Sequence, residues 1–428
     1  MALDKKFMIA DLQARQILDS RGNPTIETKV VLANGLSAKA SVPSGASTGV
    51  HEACELRDKK QSVYFGKGVL NAVNHVNRII RKAILKKDVR QQRELDKIML
   101  DLDGTENKSK LGANAILSVS LACARAGALA SGLPLYRYLR EAFGIKSKKY
   151  VLPIPSFNIL NGGKHADNNL DFQEYMLFPA GVKTAAEQVR AGAEIFQQLK
   201  HLLSKKGLST GVGDEGGFAP SLKNNEEALE LIVQAVKNAG WQLGKEIFFA
   251  LDPAASEFYD GRNYVLKGEK KGGLSLSGAE MIKYWQKLID KYPIISIEDG
   301  LAEDDWPAWL DLTYQLGDEI QLVGDDLLVT NVERLQKAID SGVANSILIK
   351  VNQIGSLSET IDAILLAQKH EYGVMISHRS GETTDDFIMD LAVATNAGQI
   401  KSGSLSRGER IAKYNRLLEI EMELNKKW

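Results

Sequence analysis

The chain has 428 residues, 44% hydrophobic and 25% charged, the make-up of a soluble protein long enough for two cores. Its 54 basic and 54 acidic side chains cancel, which argues against a nucleic-acid or anionic-membrane partner. No stretch supplies ~20 uninterrupted apolar residues for a bilayer span: the most apolar, Ala115–Leu133, is broken by Arg125 and reads as a buried helix, and Cys54 and Cys123 stand alone, as in a reducing compartment.

The first residues, Met1-Ala-Leu-Asp-Lys-Lys6, carry no apolar signal region, so a cytoplasmic chain is expected. Strands are predicted at Ile9–Leu18, Thr25–Leu32 and Leu36–Val42, parted by the turn-forming runs Ser20–Pro24 and Ala33–Gly35. In the second, Ile26, Thr28, Val30 and Leu32 alternate with Glu27 and Lys29, giving one dry face. Pro43–Gly49 is a run of small residues. It reads either as a plain surface connection or as a lid over a site elsewhere. Val69, Ala72, Val73, Val76, Ile79, Ile80, Ala83 and Ile84 then recur at helical spacing. Further helices are predicted at 90–100, 113–131 and 135–142. Strands followed by helices, without alternation, define an α+β unit over residues 1–140, with a linker around Lys146–Lys149.

The second unit, 141–428, opens differently. Pro153–Leu160 and Phe172–Pro179 read as strands with no helix between them, and helices follow at Thr184–Lys205 and Glu226–Ala239. Regular strand–helix alternation begins at Phe248. Ser277 and Glu280 form a capping box opening a helix to Lys291, and the last helix runs from about Arg407 to Leu424. The strands end on charge: Asp252, Glu298, Asp325, Lys350, His378–Ser380 and Lys401. From Glu298 onward these endings recur every 23 to 28 residues. That pitch predicts a parallel sheet, open or closed into a barrel. Barrel enzymes carry their chemistry at the C-terminal ends of the strands. One charged ending is as often just the point where a strand leaves the core. Three acids followed by a series of basic endings point to a site. With six scattered histidines, a metal there would be held by oxygen, which favours Mg²⁺ or Mn²⁺ over zinc.

Four other motifs are weighed. Gly211-Val-Gly-Asp-Glu-Gly216 has the spelling of a dinucleotide fingerprint, but Asp214 and Glu215 would repel a pyrophosphate and Pro220 stands where the helix should run. Glycines around an acid imply instead a backbone that approaches a ligand and presents Glu215. Asn161-Gly-Gly-Lys-His165 lacks the Ser/Thr of a phosphate loop and reads equally as a strand-end turn. Glu303–Asp305 suits a helix N-terminus, and Trp306 and Trp309 suit packing.

The runs Asp19–Pro24, Ser44–Gly49, Asn161–His165, Val212–Gly216, Ser296–Gly300, Gly324–Leu327, Leu348–Gly355 and Ser377–Glu382 resemble, in order and over essentially the whole chain, the enolase family. The resemblance implies an N-terminal α+β cap domain and a C-terminal ββαα(βα)₆ TIM-like barrel. It implies Mg²⁺-dependent dehydration of 2-phosphoglycerate to phosphoenolpyruvate in glycolysis, with two Mg²⁺ per site. By position, Asp252, Glu298 and Asp325 are then metal ligands, and Ser47 in the small-residue loop the ligand to a second ion. Lys350 is the base, Glu215 the acid, Glu174 its neighbour and His165 a pocket histidine. Gln173, His378, Arg379, Ser380 and Lys401 bind substrate, with Arg379 and Ser380 on its phosphate. The family also implies a homo-oligomer, dimer or octamer, and admits second protein partners and an added secreted or cell-surface pool. Pro253, and the spelling Ser404-Leu-Ser-Arg-Gly-Glu409, depart from the family pattern without removing a functional group.

Those roles set charge requirements. A free lysine at pKa ~10.4 is only ~0.04% neutral at pH 7, an offset of roughly 4–5 kcal/mol for a base. Burial and nearby cations are expected to lower Lys350, and the acid role is expected to raise Glu215.

Overall fold

The computed structural model describes residues 5–45, 51–269 and 272–426, so Ser47 lies outside the described residues. Strands β1 (Ile9–Leu18), β2 (Pro24–Leu32) and β3 (Ser37–Ser41) form an antiparallel meander with β2 in the middle. The alternation in β2 does what the pattern predicts: Ile26, Val30 and Leu32 are buried while Lys29 is exposed. The helix Ala113–Ser131 packs on this sheet. Among the described residues it alone is long and apolar enough to cross a membrane, and 83% of its most apolar window is buried in the fold. The Thr28 and Ser118 hydroxyls meet at 2.7 Å in this interface, so neither is left dry without a partner.

The helical stretch over residues 70–84 contains a π segment, His75–Ile80, between α-helical Leu70–Asn74 and Arg81–Ile84. A π turn holds more residues than an α turn, so the buried stripe rotates there. Val76 and Ile80 stay inside, but Ile79, expected on the same stripe, is turned outward and is 40% exposed.

The remaining strands are β4 (Ile154–Asn161), β5 (Glu174–Phe178), β6 (Phe248–Asp252), a small hairpin of β7 (Tyr264–Leu266) and β8 (Leu274–Leu276), β9 (Ile294–Glu298), β10 (Gln321–Gly324), β11 (Ser346–Ile349), β12 (Gly373–Ser377) and β13 (Gly398–Lys401). All but the hairpin close into a barrel in the order β4, β5, β6, β9, β10, β11, β12, β13 and back to β4. Helices Ala185–Lys205 and Asn225–Asn238 separate β5 from β6, and a helix follows each later barrel strand, preceded after β11 by the short extra turn Val351–Ile354. The arrangement is ββαα(βα)₆. Met176, Phe178, Ala250, Val323, Leu348 and Met375 cluster as a buried plug, so the barrel is a packed core and not a pore.

The irregular opening has a consequence for the site. β5 is antiparallel to both β4 and β6, while the other barrel pairs are parallel. The first residue of β5 therefore lies at the mouth where the other strands end. Glu174 sits opposite Asn161 on one side and Asp252 on the other.

Candidate active site

The C-terminal mouth of the barrel gathers the charged strand endings around one narrow cleft. Asp252 closes β6, Glu298 closes β9 and Lys401 closes β13, while Asp325, Lys350 and His378 each follow directly on β10, β11 and β12. Lys401 is 2% exposed and is the hub of the acidic side. Its Nζ donates to Asp252 Oδ2 at 2.9 Å and to the two oxygens of Glu298 at 2.8 and 2.9 Å, with Glu174 Oε1 at 3.2 Å. Lys350 Nζ donates to Asp325 Oδ2, and Gln353 Nε2 donates to Asp325 Oδ1 at 2.9 Å. Buried ions need partners of this kind, because desolvation costs several kcal/mol per charge.

Each charge state has a nameable cause. Burial alone would lower the Lys401 amine, but Asp252, Glu174 and Glu298 more than offset it and hold it well above the lysine range. Burial and repulsion from Asp252 push Glu298 well above the carboxylate range. Burial pulls the Lys350 amine down, yet contact with Asp325 outweighs this and holds it high; the expected lowering rests on cations placed beside it as well. A neutral Lys350 requires that Asp325's charge be engaged elsewhere.

A second cluster lies alongside. Asn158 Nδ2 donates to Glu215 Oε2 at 3.0 Å, and His378 Nε2 faces the same oxygen at 3.2 Å. His165 Nδ1 stands 3.5 Å from Glu174 Oε1 and 3.6 Å from Glu215 Oε1. Here one expectation is corrected. Burial raises Glu215, but its histidine neighbours more than offset that and hold it below the carboxylate range. The raised member of the pair is Glu174, by burial and by the charge of Glu215. Burial keeps both imidazoles below the histidine range, His378 down to about 4.

The glycine-rich stretch has the structural role that its rejected fingerprint left open. No helix opens after it until Asn225. A Cβ on Gly213 would sit 2.5 Å from the His165 carbonyl, and one on Gly217 2.7 Å from Asn161 Oδ1. The small residues let this loop lie flat on the end of β4 and deliver Glu215 into the cleft.

Gln173, Arg379 and Ser380 line the same cleft and are buried. The Arg379 guanidinium meets Glu52 and, at 3.2 Å, Asn352 Oδ1. Every described residue predicted for the site is thus brought to this one mouth. Sequence reasoning missed four residues that hold it: Glu52, Asn158, Asp299 and Arg410. Asp299, at φ 42°, accepts the backbone N–H of Asp325 at 3.0 Å and of Asp326 at 2.8 Å, clipping the end of β9 to the end of β10. Only its place beside Glu298 in the sequence hinted at this.

Two sets of ligand-type atoms among the described residues lie within 4.8 Å of one another: His165, Glu174 and Glu215, and Asp299, Asp325 and Asp326. Both oxygens of Asp299 already serve backbone N–H groups, so the second set is a structural clip more than a cage. Asp252, Glu298 and Asp325 present hard oxygen donors, now neutralised by Lys401 and Lys350. The Glu174 Oε2 and Gln173 Oε1 atoms are buried beside them without hydrogen-bond partners. Carboxylates this crowded, with amide and carboxylate oxygens still unmatched, fit a hard divalent cation.

A closed α/β barrel whose mouth joins buried acids, two lysines and paired imidazoles is an enzyme architecture. Comparison with protein families carries this further. The family description "Enolase, N-terminal domain" matches residues 9–139, and "Enolase, C-terminal TIM barrel domain" matches residues 149–428. The chain belongs to the enolase family, and with it to the metal-dependent lyases of the enolase superfamily.

Proposed function

We propose that this chain dehydrates 2-phospho-D-glycerate to phosphoenolpyruvate, with the α+β unit up to about residue 140 as cap and the barrel as catalytic domain. The observation that carries the reading is a single cleft lined by Lys350, Glu215, Asp252, Asp325, Arg379 and Ser380. A lysine or histidine base beside Mg²⁺ is the known pattern of this superfamily; the resemblance carried by Leu348–Gly355 assigns that part to Lys350, which lines the cleft beside Asp325.

Asp252, Glu298 and Asp325 would hold one Mg²⁺, and Ser47 would serve a second. These ions supply Lewis-acid stabilisation of charge on the substrate carboxylate. The chain's own groups do the rest. Arg379 and Ser380 hold the phosphate, and Lys401 stands at the carboxylate side. Lys350 Nζ takes the C2 proton, and the C–H electron pair moves toward the carboxylate. The C3–O bond then breaks, the C2 pair forms the C2=C3 double bond, and the hydroxide leaves as water with a proton from the Glu174–Glu215 pair. Glu174 stores that proton and Glu215 delivers it. Lys350 ends protonated and the acid pair ends ionised, and both states reset through solvent. The partner is a small phosphorylated acid, the setting glycolysis in the cytoplasm, and the assembly a homo-oligomer.

The test is an ultraviolet assay for the conjugated enol product from 2-phosphoglycerate. Absorbance should rise with Mg²⁺ and stay flat in chelator. No product at any Mg²⁺ concentration overturns the proposal.

A further inference from the structure

Arg410 is the first buried side chain of the final helix, Gly408–Leu424, and its burial is complete. Its Nη1 lies 2.6 Å from His378 Nδ1 and 2.7 Å from the Arg379 carbonyl. Its Nη2 donates to the Asp214 carbonyl at 3.0 Å and to the Ser380 carbonyl at 2.6 Å. One guanidinium thus ties the loop carrying Glu215 to the loop carrying His378, Arg379 and Ser380. One turn on, Lys413 Nζ braces the same loop through the Thr383 carbonyl at 2.9 Å and Glu382 at 2.9 Å.

A guanidinium has five N–H donors and no acceptor. Facing one, His378 Nδ1 can only accept. If the neutral ring bears its proton, that proton must sit on Nε2, a buried atom without a hydrogen-bond partner among the described residues, whose nearest acidic neighbour is Glu215 Oε2 at 3.2 Å. We infer that Arg410 is a positioning residue that fixes His378 as the Nε2–H tautomer and so aims an N–H at the acid Glu215. The charged and titratable groups around the ring agree. Arg410 comes from the last helix, Glu215 from the glycine-rich loop and Glu382 from the ring's own loop. The ring's burial keeps it neutral, so the tautomer matters more than the charge. In the proposed reaction, a small ring rotation that brings this N–H onto Oε2 leaves the other Glu215 oxygen to carry the proton for the departing hydroxide. Naming that reaction is the only part that rests on the proposed function.

The test begins with the unaltered protein. Ring-nitrogen NMR on ¹⁵N-histidine-labelled chain, with His378→Gln to assign the signal, should show a protonated Nε2 and a bare Nδ1. A protonated Nδ1 overturns the inference. In Arg410→Met the assigned signal should shift toward mixed tautomers, and kcat should fall by roughly 10- to 100-fold, as for other residues that orient a site histidine. A purely structural role would instead raise KM, through displacement of Arg379 and Ser380. A folded variant with unchanged kcat and an unchanged signal overturns the inference. If Arg410→Met does not fold, the spectrum of the unaltered protein decides alone. If 2-phosphoglycerate is not turned over at all, the reaction falls while the tautomer result stands.

Discussion

Glu52 and Arg379 meet in a two-point pair, with Nη1 2.9 Å from Oε2 and Nη2 3.1 Å from Oε1, at 7% and 4% side-chain exposure. The planar fork of an arginine fits a carboxylate or a phosphate in the same way. Glu52 therefore sits on the arginine assigned to the substrate's phosphate and competes with it. Glu52→Gln keeps an acceptor but removes the charge. Inorganic phosphate should then bind about tenfold more tightly, a gain of about 1.4 kcal/mol, read by isothermal titration. Unchanged or weaker binding would mean that Glu52 does not compete.

The two halves of the proposed chemistry separate by mutation. Lys350→Ala should abolish exchange of the C2 proton and cut turnover by roughly 10²–10⁴-fold, with substrate still bound. Glu215→Gln should keep C2 exchange and lose dehydration. Normal exchange in the first variant, or loss of both activities in the second, would reassign the residues.

Much of this was legible in the chain. Each buried strand ends where a charged side chain leaves the plug, so the mouth could be read as a series of endings: Asp252, Glu298, Asp325, Lys350, His378, Lys401. Strand and helix extents followed because hydrophobic period and local turn chemistry agreed. The misses have physical reasons. Ile79 faces outward because a π turn changes the helical repeat, and a periodicity argument assumes that repeat constant. The charge state of Glu215 depends on which groups stand next to it, and these neighbours come from distant segments. Arg410 lies in the first turn of the last helix, where its position alone gives no sign of burial. The signal was present nonetheless: Arg410, Lys413, Tyr414, Leu417 and Ile420 fall on one helical stripe, and all are buried. Cations on an apolar stripe mark a helix that faces a polar site.

The neutral burial of His378 makes stability depend on pH. Its folded pKa is about 4, against ~6.5 for an unfolded histidine. Between these values the unfolded chain binds the extra proton, so stability is full above pH ~6.5 and is lost as pH falls toward 4. The contribution over that window is roughly 3 kcal/mol. Gln at this position does not titrate. The unfolding midpoint of the unaltered chain should therefore fall faster than that of His378→Gln as pH drops through this window. Parallel curves would show that the imidazole is not buried in its neutral form.

Lys401 gives a test of the metal reading that does not need turnover. Its ammonium is shared by Asp252, Glu298 and Glu174, all buried. Lys401→Met leaves three crowded carboxylates with no cation among them, and breaking a buried pair costs about 3–5 kcal/mol. In chelator the variant should melt well below the unaltered chain. A divalent cation binds the folded state only, and at 100 times its Kd it adds about 2.7 kcal/mol. The ammonium competes with that cation for the same oxygens, so its removal tightens cation binding. The rise in melting temperature on adding Mg²⁺ should therefore be larger in Lys401→Met than in the unaltered chain. An equal or smaller rise would place the Mg²⁺ site away from these carboxylates.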